Sequence, residues 1–185
     1  MLALLLLAAG LVAADGASLR AGVFDPPRVA PDFALRGSDG AELALRHYRG
    51  KVIVLQFGFT SCPKVCPTTL ASLAEARRKL GAQASALQVV YVTVDPERDD
   101  VGRLQKYLAG FDPSFVGGTG TEDQLEAVRR DYGVAAARIS SDADYTFSHS
   151  SYTYLIDREG RLRALMPYGQ PSDDYVHDVK VLLEQ

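Results

Sequence analysis

The sequence predicts an α/β domain with a central mixed sheet flanked by helices, and three observations carry that prediction. Two apolar, β-rich runs at 51–59 and 87–94 are separated by a segment of helical spacing at 67–80. Strand–helix–strand units of this kind give a sheet a parallel centre. Two later β-rich runs, 151–157 and 161–166, are joined by Glu159-Gly160 and add an antiparallel hairpin. With 185 residues, 47% hydrophobic and 23% charged, the chain is long enough to bury one sizeable core and has the balance of a soluble globular domain.

The elements follow in order. Residues 2–14 are almost purely Leu, Ala, Val and Gly. That run is shorter than the ~20 residues a bilayer span requires. It matches the apolar region of a secretory signal, with Val12-Ala13-Ala14 as a cleavage site. No Lys or Arg precedes it, the first basic residue being Arg20, so a start further upstream would make the segment a membrane anchor instead. Residues 1–20 are therefore expected to be a signal peptide or membrane anchor and the folded part to be exported, into a compartment that permits disulfides. Residues 21–30, rich in Gly, Pro and small residues, read as a linker. The domain is expected at 31–185. Asp32-Phe33-Ala34-Leu35 and Glu42-Leu43-Ala44-Leu45 flank the turn signal Ser38-Asp39-Gly40, which predicts an N-terminal hairpin. Residues 51–59 and 87–94 read as buried central strands, the second ended by Asp95-Pro96. Leu70, Leu73, Ala74 and Arg77 mark a helix from Pro67 that stops at Gly81. Another helix is expected at 101–108. Thr121-Glu122-Asp123-Gln124 is a capping box that opens a helix to about Tyr132, with Gly133 after it. A last helix is expected at 173–183. The chain contains no internal repeat.

Cys62 and Cys66 are the only cysteines, and they lie together in Phe57-Gly58-Phe59-Thr60-Ser61-Cys62-Pro63-Lys64-Val65-Cys66-Pro67, between a predicted strand and a predicted helix. Two thiols this close can hold a soft metal or close a small disulfide. Pro67 suits the first position of a helix, which puts Cys66 at a helix N-terminus, where the macrodipole favours a thiolate. Three residues separate the cysteines, where thioredoxin-like redox motifs have two. The wider loop suits an ion held between two sulfurs; two thiolates alone hold Cu(I), and an imidazole is a good third ligand. His47 lies in an expected surface loop and His177 on a helix face. His149 just precedes the 151–157 strand, whose end gathers near the cysteine loop in an α/β sheet; its spacing alone leaves a ligand role and a structural role equally open. Asp95 ends the second buried strand, at the sheet edge where such proteins place sites. It reads equally as a carboxylate near the metal or thiols, a docking group, or a turn former. Phe147 and Tyr145, beside His149, read either as an exposed docking patch or as packing for their loop, with packing the favoured expectation. A formal net charge of -3 gives no reason to propose nucleic acid.

Three stretches resemble the Sco (SenC) family, and they occur in that family's order. They are Phe57 to Leu70, Val94-Asp95-Pro96-Glu97-Arg98-Asp99, and Ser148-His149-Ser150 leading into Tyr154-Leu155-Ile156-Asp157. The resemblance covers about Pro31 to the C-terminus. It implies a thioredoxin-like fold and an exported, often anchored, periplasmic domain. It implies copper as the metal, with Cys62, Cys66 and His149 as its ligands, and delivery to the dinuclear copper site of cytochrome c oxidase subunit II.

The cysteine pair serves a second reading equally well, a thiol–disulfide oxidoreductase that keeps the oxidase's copper-ligand cysteines reduced. The further partners are then another copper carrier or a thioredoxin-like reductant. A peroxiredoxin is disfavoured: it expects a threonine three residues before its reactive cysteine, and Pro63 and Phe59 hold those places. A structural zinc site needs Asp95 as a fourth ligand.

Overall fold

The computed structural model describes residues 18–140 and 144–185; nearly all of the expected leader lies outside the described residues. The elements are β1 (Gly22–Val29), β2 (Leu35–Gly37), β3 (Glu42–Leu43), β4 (Val52–Gly58), α1 (Val65–Leu80), β5 (Leu87–Thr93), α2 (Val101–Ala109), β6 (Val116–Thr119), α3 (Glu122–Tyr132), β7 (Ala136–Ser140), β8 (Tyr145–His149), β9 (Thr153–Ile156), β10 (Arg161–Met166) and α4 (Ser172–Glu184). Eight strands form one mixed sheet in the order β1-β10-β9-β4-β5-β6-β2-β3, and β7 and β8 form a separate hairpin.

The sheet is covered on both faces, which is why β4 and β5 read as continuous apolar runs. Side chains alternate across it. Val52 and Val54 of β4, with Leu87, Val89 and Tyr91 of β5, pack against Leu70 and Leu73 of α1, Leu104 of α2 and Val179 of α4. Ile53, Leu55 and Phe57, with Val90 and Val92, face Leu125 and Val128 of α3. The α3 capping box forms as the sequence predicts, and Gly133 ends the helix in the left-handed region at φ 67°.

Register gathers three chain segments at one edge of the sheet. β4 runs parallel to β5 with Gly58 level with Thr93, so the segments that follow both strands leave side by side. β9 is antiparallel to β4, with Thr153 opposite Gln56, so the chain entering β9 arrives at that same edge. Cys62, Asp95 and His149 belong to these three segments.

Three expectations are corrected, and one strand, β6, is added. The linker expected at 21–30 is β1, paired antiparallel with β10 from Gly22–Leu165 to Val29–Arg161, with the register broken between Val23 and Arg28. Pro26 and Pro27 sit in that break; proline cannot donate to a ladder and is tolerated on an edge strand, which is why the segment's composition resembles a linker. The chain before β1 is also fixed, because the buried Asp178 carboxylate accepts the backbone N–H groups of Arg20 and Ala21 at 2.8 and 2.9 Å. β6 is a strand although two of its four residues are glycine. A Cβ on Gly117 would press on Leu104 and Leu108, so the close approach of α2 requires a residue that propensity disfavours. α1 begins at Val65 rather than Pro67, which puts Pro67 third in the helix. A first-turn N–H has no partner within the helix, so proline costs nothing there. The segment expected as a loop before β9 is the β7–β8 hairpin, with Ala136 opposite His149 and Ser140 opposite Tyr145.

Candidate metal centre

The thiol loop is fixed at both ends. It leaves β4 at Gly58, turns through a hydrogen bond from Cys62 N–H to the Phe59 carbonyl at 3.1 Å, and enters α1 at Val65. Cys66 lies in the first turn of α1 on the face that also buries Leu70 and Leu73, and is 0% exposed. Its sulfur fits beneath β4 because residue 58 is glycine. A Cβ there would overlap the Tyr91 hydroxyl and come within 2.7 Å of Cys66 Sγ. Tyr91 is fully buried, and that burial, with Cys66 beside it, raises its phenol well above the usual range and keeps it protonated.

Both cysteines are free thiols, and the loop makes them unequal. Cys62 Sγ sits over the open N-terminus of α1 and accepts the Cys66 N–H at 3.4 Å. Its pKa falls to about 5, chiefly through the hydrogen bond from the Cys66 thiol, with the N–H groups of Cys66, Lys64 and Val65 opposing the cost of burial. Cys66 shifts the other way, because it donates to Cys62 and is buried. The sequence assigns the favoured thiolate to Cys66. The geometry assigns it to Cys62, because Cys62 faces the N–H groups at the helix start while Cys66 points into the core.

His149 ends β8 and reaches the same place from the other side. Its Nε2 lies 3.8 Å from Cys66 Sγ. Its Nδ1 is 2.8 Å from the Ser150 carbonyl, which can only accept; the proton is therefore on Nδ1 and the Nε2 lone pair faces the thiols. The ring packs edge-on against Phe59 at 5.9 Å, and Phe59 meets Phe147 at 5.7 Å. Tyr145 in turn meets Phe147 at 5.9 Å, so both aromatic residues pack the hairpin as expected. A cleft of about 310 Å³ runs between the two halves, lined by Phe59, Cys62 and Lys64 on one side and Phe147 and His149 on the other. A thiolate ligand lies roughly 2.3 Å from its metal and an imidazole roughly 2.0–2.1 Å. At those lengths the 3.8 Å gap subtends about 120° at a shared ion, the angle of a trigonal site. Among the described residues no three His, Cys, Asp or Glu side chains close on one point as they stand.

The other candidates lie elsewhere. His47 is exposed beside Glu42, and His177 Nε2 is 3.0 Å from the Ser18 carbonyl. Asp95 is 1% exposed, and both its oxygens are taken, one by Tyr145 Oη at 2.9 Å and the other by Arg98 Nε. It lines a neighbouring cleft with Glu97 and Arg138 instead of the thiol cleft. That commitment removes the fourth ligand the zinc reading needs. Gly58, Tyr91 and Asp99 also shape the site; Gly58 and Asp99 lie within the stretches that resemble the Sco family, without a role assigned from them, and Tyr91 carries no motif signal.

The model of the SCO1/SenC family matches residues 23–184. The chain belongs to that family. It is similar to the SCO2-like protein of Rickettsia felis, 37% identical over 140 residues that span 74% of this chain and 68% of that protein. Its fold follows that of the copper-bound ScoI structure of Bradyrhizobium japonicum (TM-score 0.78, 32% identity, 84% of this chain and 99% of that one). It equally follows the apo Sco1 structure of Thermus thermophilus (TM-score 0.81, 34% identity, 90% and 98%). The thioredoxin-like architecture implied by the sequence is the one observed.

Proposed function

We propose that this protein binds one copper ion between Cys62, Cys66 and His149 and delivers it to the dinuclear copper site of cytochrome c oxidase subunit II, working as an exported domain. The observation that carries this reading is an imidazole whose free nitrogen lies 3.8 Å from the Cys66 sulfur, across a cleft that Cys62 also lines. Dithiol exchange needs no such ligand, whereas a copper site gains a third donor from it. The copper bound to ScoI of Bradyrhizobium japonicum supports the choice of metal. Cys66 and His149 are held by packing and hydrogen bonds, so Cys62, half-exposed on the cleft, is the donor that turns in to complete the site. Oxidising the pair, with the Cys62 thiolate and the Cys66 thiol passing two electrons and one proton to a disulfide-bearing partner, closes the Cys62–Cys66 bond and leaves Cu(I) without its sulfur ligands, so thiol state sets metal loading.

One observation favours a thiol–disulfide role for the same pair. Cys62 is half-exposed with its pKa lowered to about 5, as suits an attacking thiolate, and buried Cys66 is placed to resolve the mixed disulfide. A transfer assay separates the two. The reduced chain carrying Cu(I) is mixed with a soluble subunit II copper domain. Copper recovered in that domain after it is separated from the chain, absent with Cys62→Ser, supports delivery. Reduction of the domain's disulfide with no copper transferred assigns the chain to the oxidoreductase reading.

A further inference from the structure

Neither Cys62 nor His149 lies in a strand of the main sheet. The thiol loop after β4 has no strand partner, and β8, which carries His149, pairs with β7 alone. Both halves are fastened to the single turn that follows β5.

Asp99 holds the thiol loop. It is 0% exposed and accepts Thr60 N–H at 2.9 Å, Thr60 Oγ1 at 2.5 Å and Thr93 Oγ1 at 2.7 Å. Thr60 is two residues before Cys62. Arg103 reinforces the link, donating to Thr60 Oγ1 at 2.7 Å and Ser61 Oγ at 2.9 Å. Asp95 holds the hairpin. It accepts Tyr145 Oη at 2.9 Å, and Arg98, which pairs with its other oxygen, donates to the Tyr145 carbonyl at 3.0 Å. The Tyr145 ring lies between the Arg98 and Arg138 guanidinium groups, at 3.8 and 3.5 Å, and Arg138 pairs with Glu97 at 2.8 Å. Tyr145, Phe147 and His149 alternate along β8 and share one face. Fixing Tyr145 therefore fixes where His149 reaches. The two anchors are rigid relative to each other, because the Asp95 carbonyl accepts the N–H of Asp99 at 2.9 Å and of Arg98 at 3.3 Å, closing one helical turn.

We propose that the turn from Asp95 to Asp99 is the positioning frame of the metal centre, with Asp99 setting the thiols, Asp95 with Tyr145 setting the imidazole, and neither carboxylate acting as a ligand. The frame rests on the copper reading above for its purpose but not for its geometry. Each carboxylate oxygen already accepts a hydrogen bond, and ligation would cost that charge-assisted bond.

The test uses two mild variants of the full chain, Tyr145→Phe for the hairpin arm and Thr60→Ala for the loop arm, with Asp95→Asn and His149→Ala for comparison. In the metal-free reduced chain, amide hydrogen exchange reads each arm directly. Tyr145→Phe is expected to speed exchange in 145–149 and leave 60–66 unchanged, and Thr60→Ala to do the reverse. With copper added, Tyr145→Phe and Asp95→Asn are expected to weaken Cu(II) binding by about 10–100-fold, the usual cost of losing a group that orients a ligand. They should also diminish the nitrogen hyperfine signal, as His149→Ala does, while Cu(I) affinity stays within about threefold. Thr60→Ala is expected to weaken both oxidation states. Exchange that rises equally in both arms for either variant, or a Tyr145→Phe chain with wild-type exchange and nitrogen hyperfine, overturns the frame. A wild-type chain that binds no copper yet shows the separate exchange responses overturns the copper reading and leaves the frame standing.

Discussion

Cys62 and Cys66 are four residues apart in sequence, and the start of α1 separates their chemistry. Cys62 titrates low, at about 5, because the Cys66 thiol and the first N–H groups of the helix all stabilise its charged form. Below that pH it is protonated, and above it the thiolate is present. Alkylation of the reduced chain with iodoacetamide is therefore expected to occur at Cys62 first, rising through about pH 5 and level by pH 7; a rate that climbs through pH 8–9, or modification of Cys66 first, contradicts the assignment. Gly58 makes the second residue-scale prediction. An added methyl meets the Tyr91 hydroxyl and Cys66 Sγ, so Gly58→Ala is expected to cost about 1–3 kcal/mol in chemical denaturation and to weaken copper binding. The two thiols were legible in the sequence because cysteine is rare in it. Tyr91 was not, because a tyrosine in an apolar run signals only a strand; its place beside Cys66 is fixed by the pairing of β4 with β5.

At the scale of elements, legibility followed the strength of local signals. β4, β5, α1 and α3 carry either an unbroken apolar run or explicit caps, and each appears where the sequence puts it to within about two residues. Thr121 is the clearest case. Its side chain accepts the Gln124 N–H while Gln124 reaches back to the Thr121 N–H. Thr121→Ala is expected to lower stability by about 1 kcal/mol without changing copper affinity, since α3 covers the face of the sheet opposite α1. A loss of copper binding in that variant would mean the two faces are coupled. β1, β6 and the β7–β8 hairpin were not legible, for three physical reasons. β1 is interrupted by prolines on an edge, β6 needs glycine for close packing against α2, and β8 is a short strand whose partner β7 is exposed and without apolar alternation. The hairpin's absence from the sequence reading is also why His149 remained open on spacing alone. Only the antiparallel return into β9 brings it to the thiols.

For the whole molecule, the sheet's register does the gathering and the helices make it rigid. Leu70 of α1 is buried between sheet and helices, and Leu70→Ala is expected to cost about 2–5 kcal/mol and to release Cys66, one turn away on the same face. No helix among the described residues is long and apolar enough to cross a membrane. The fold class, the order of its central elements and the two thiols could all be read from the sequence. The division of labour between Cys62 and Cys66, and the commitment of Asp95 to Arg98 and Tyr145, required the packed structure. The central claim is that three side chains from two separate segments share one copper ion. Copper titration of the reduced chain, with Cys62→Ser/Cys66→Ser and His149→Ala alongside, tests it most directly. The account predicts one tightly bound copper per chain, lost in the cysteine variant and weakened in the histidine variant. Copper bound equally well by the wild-type and His149→Ala chains, or no copper bound above the cysteine variant, would contradict it.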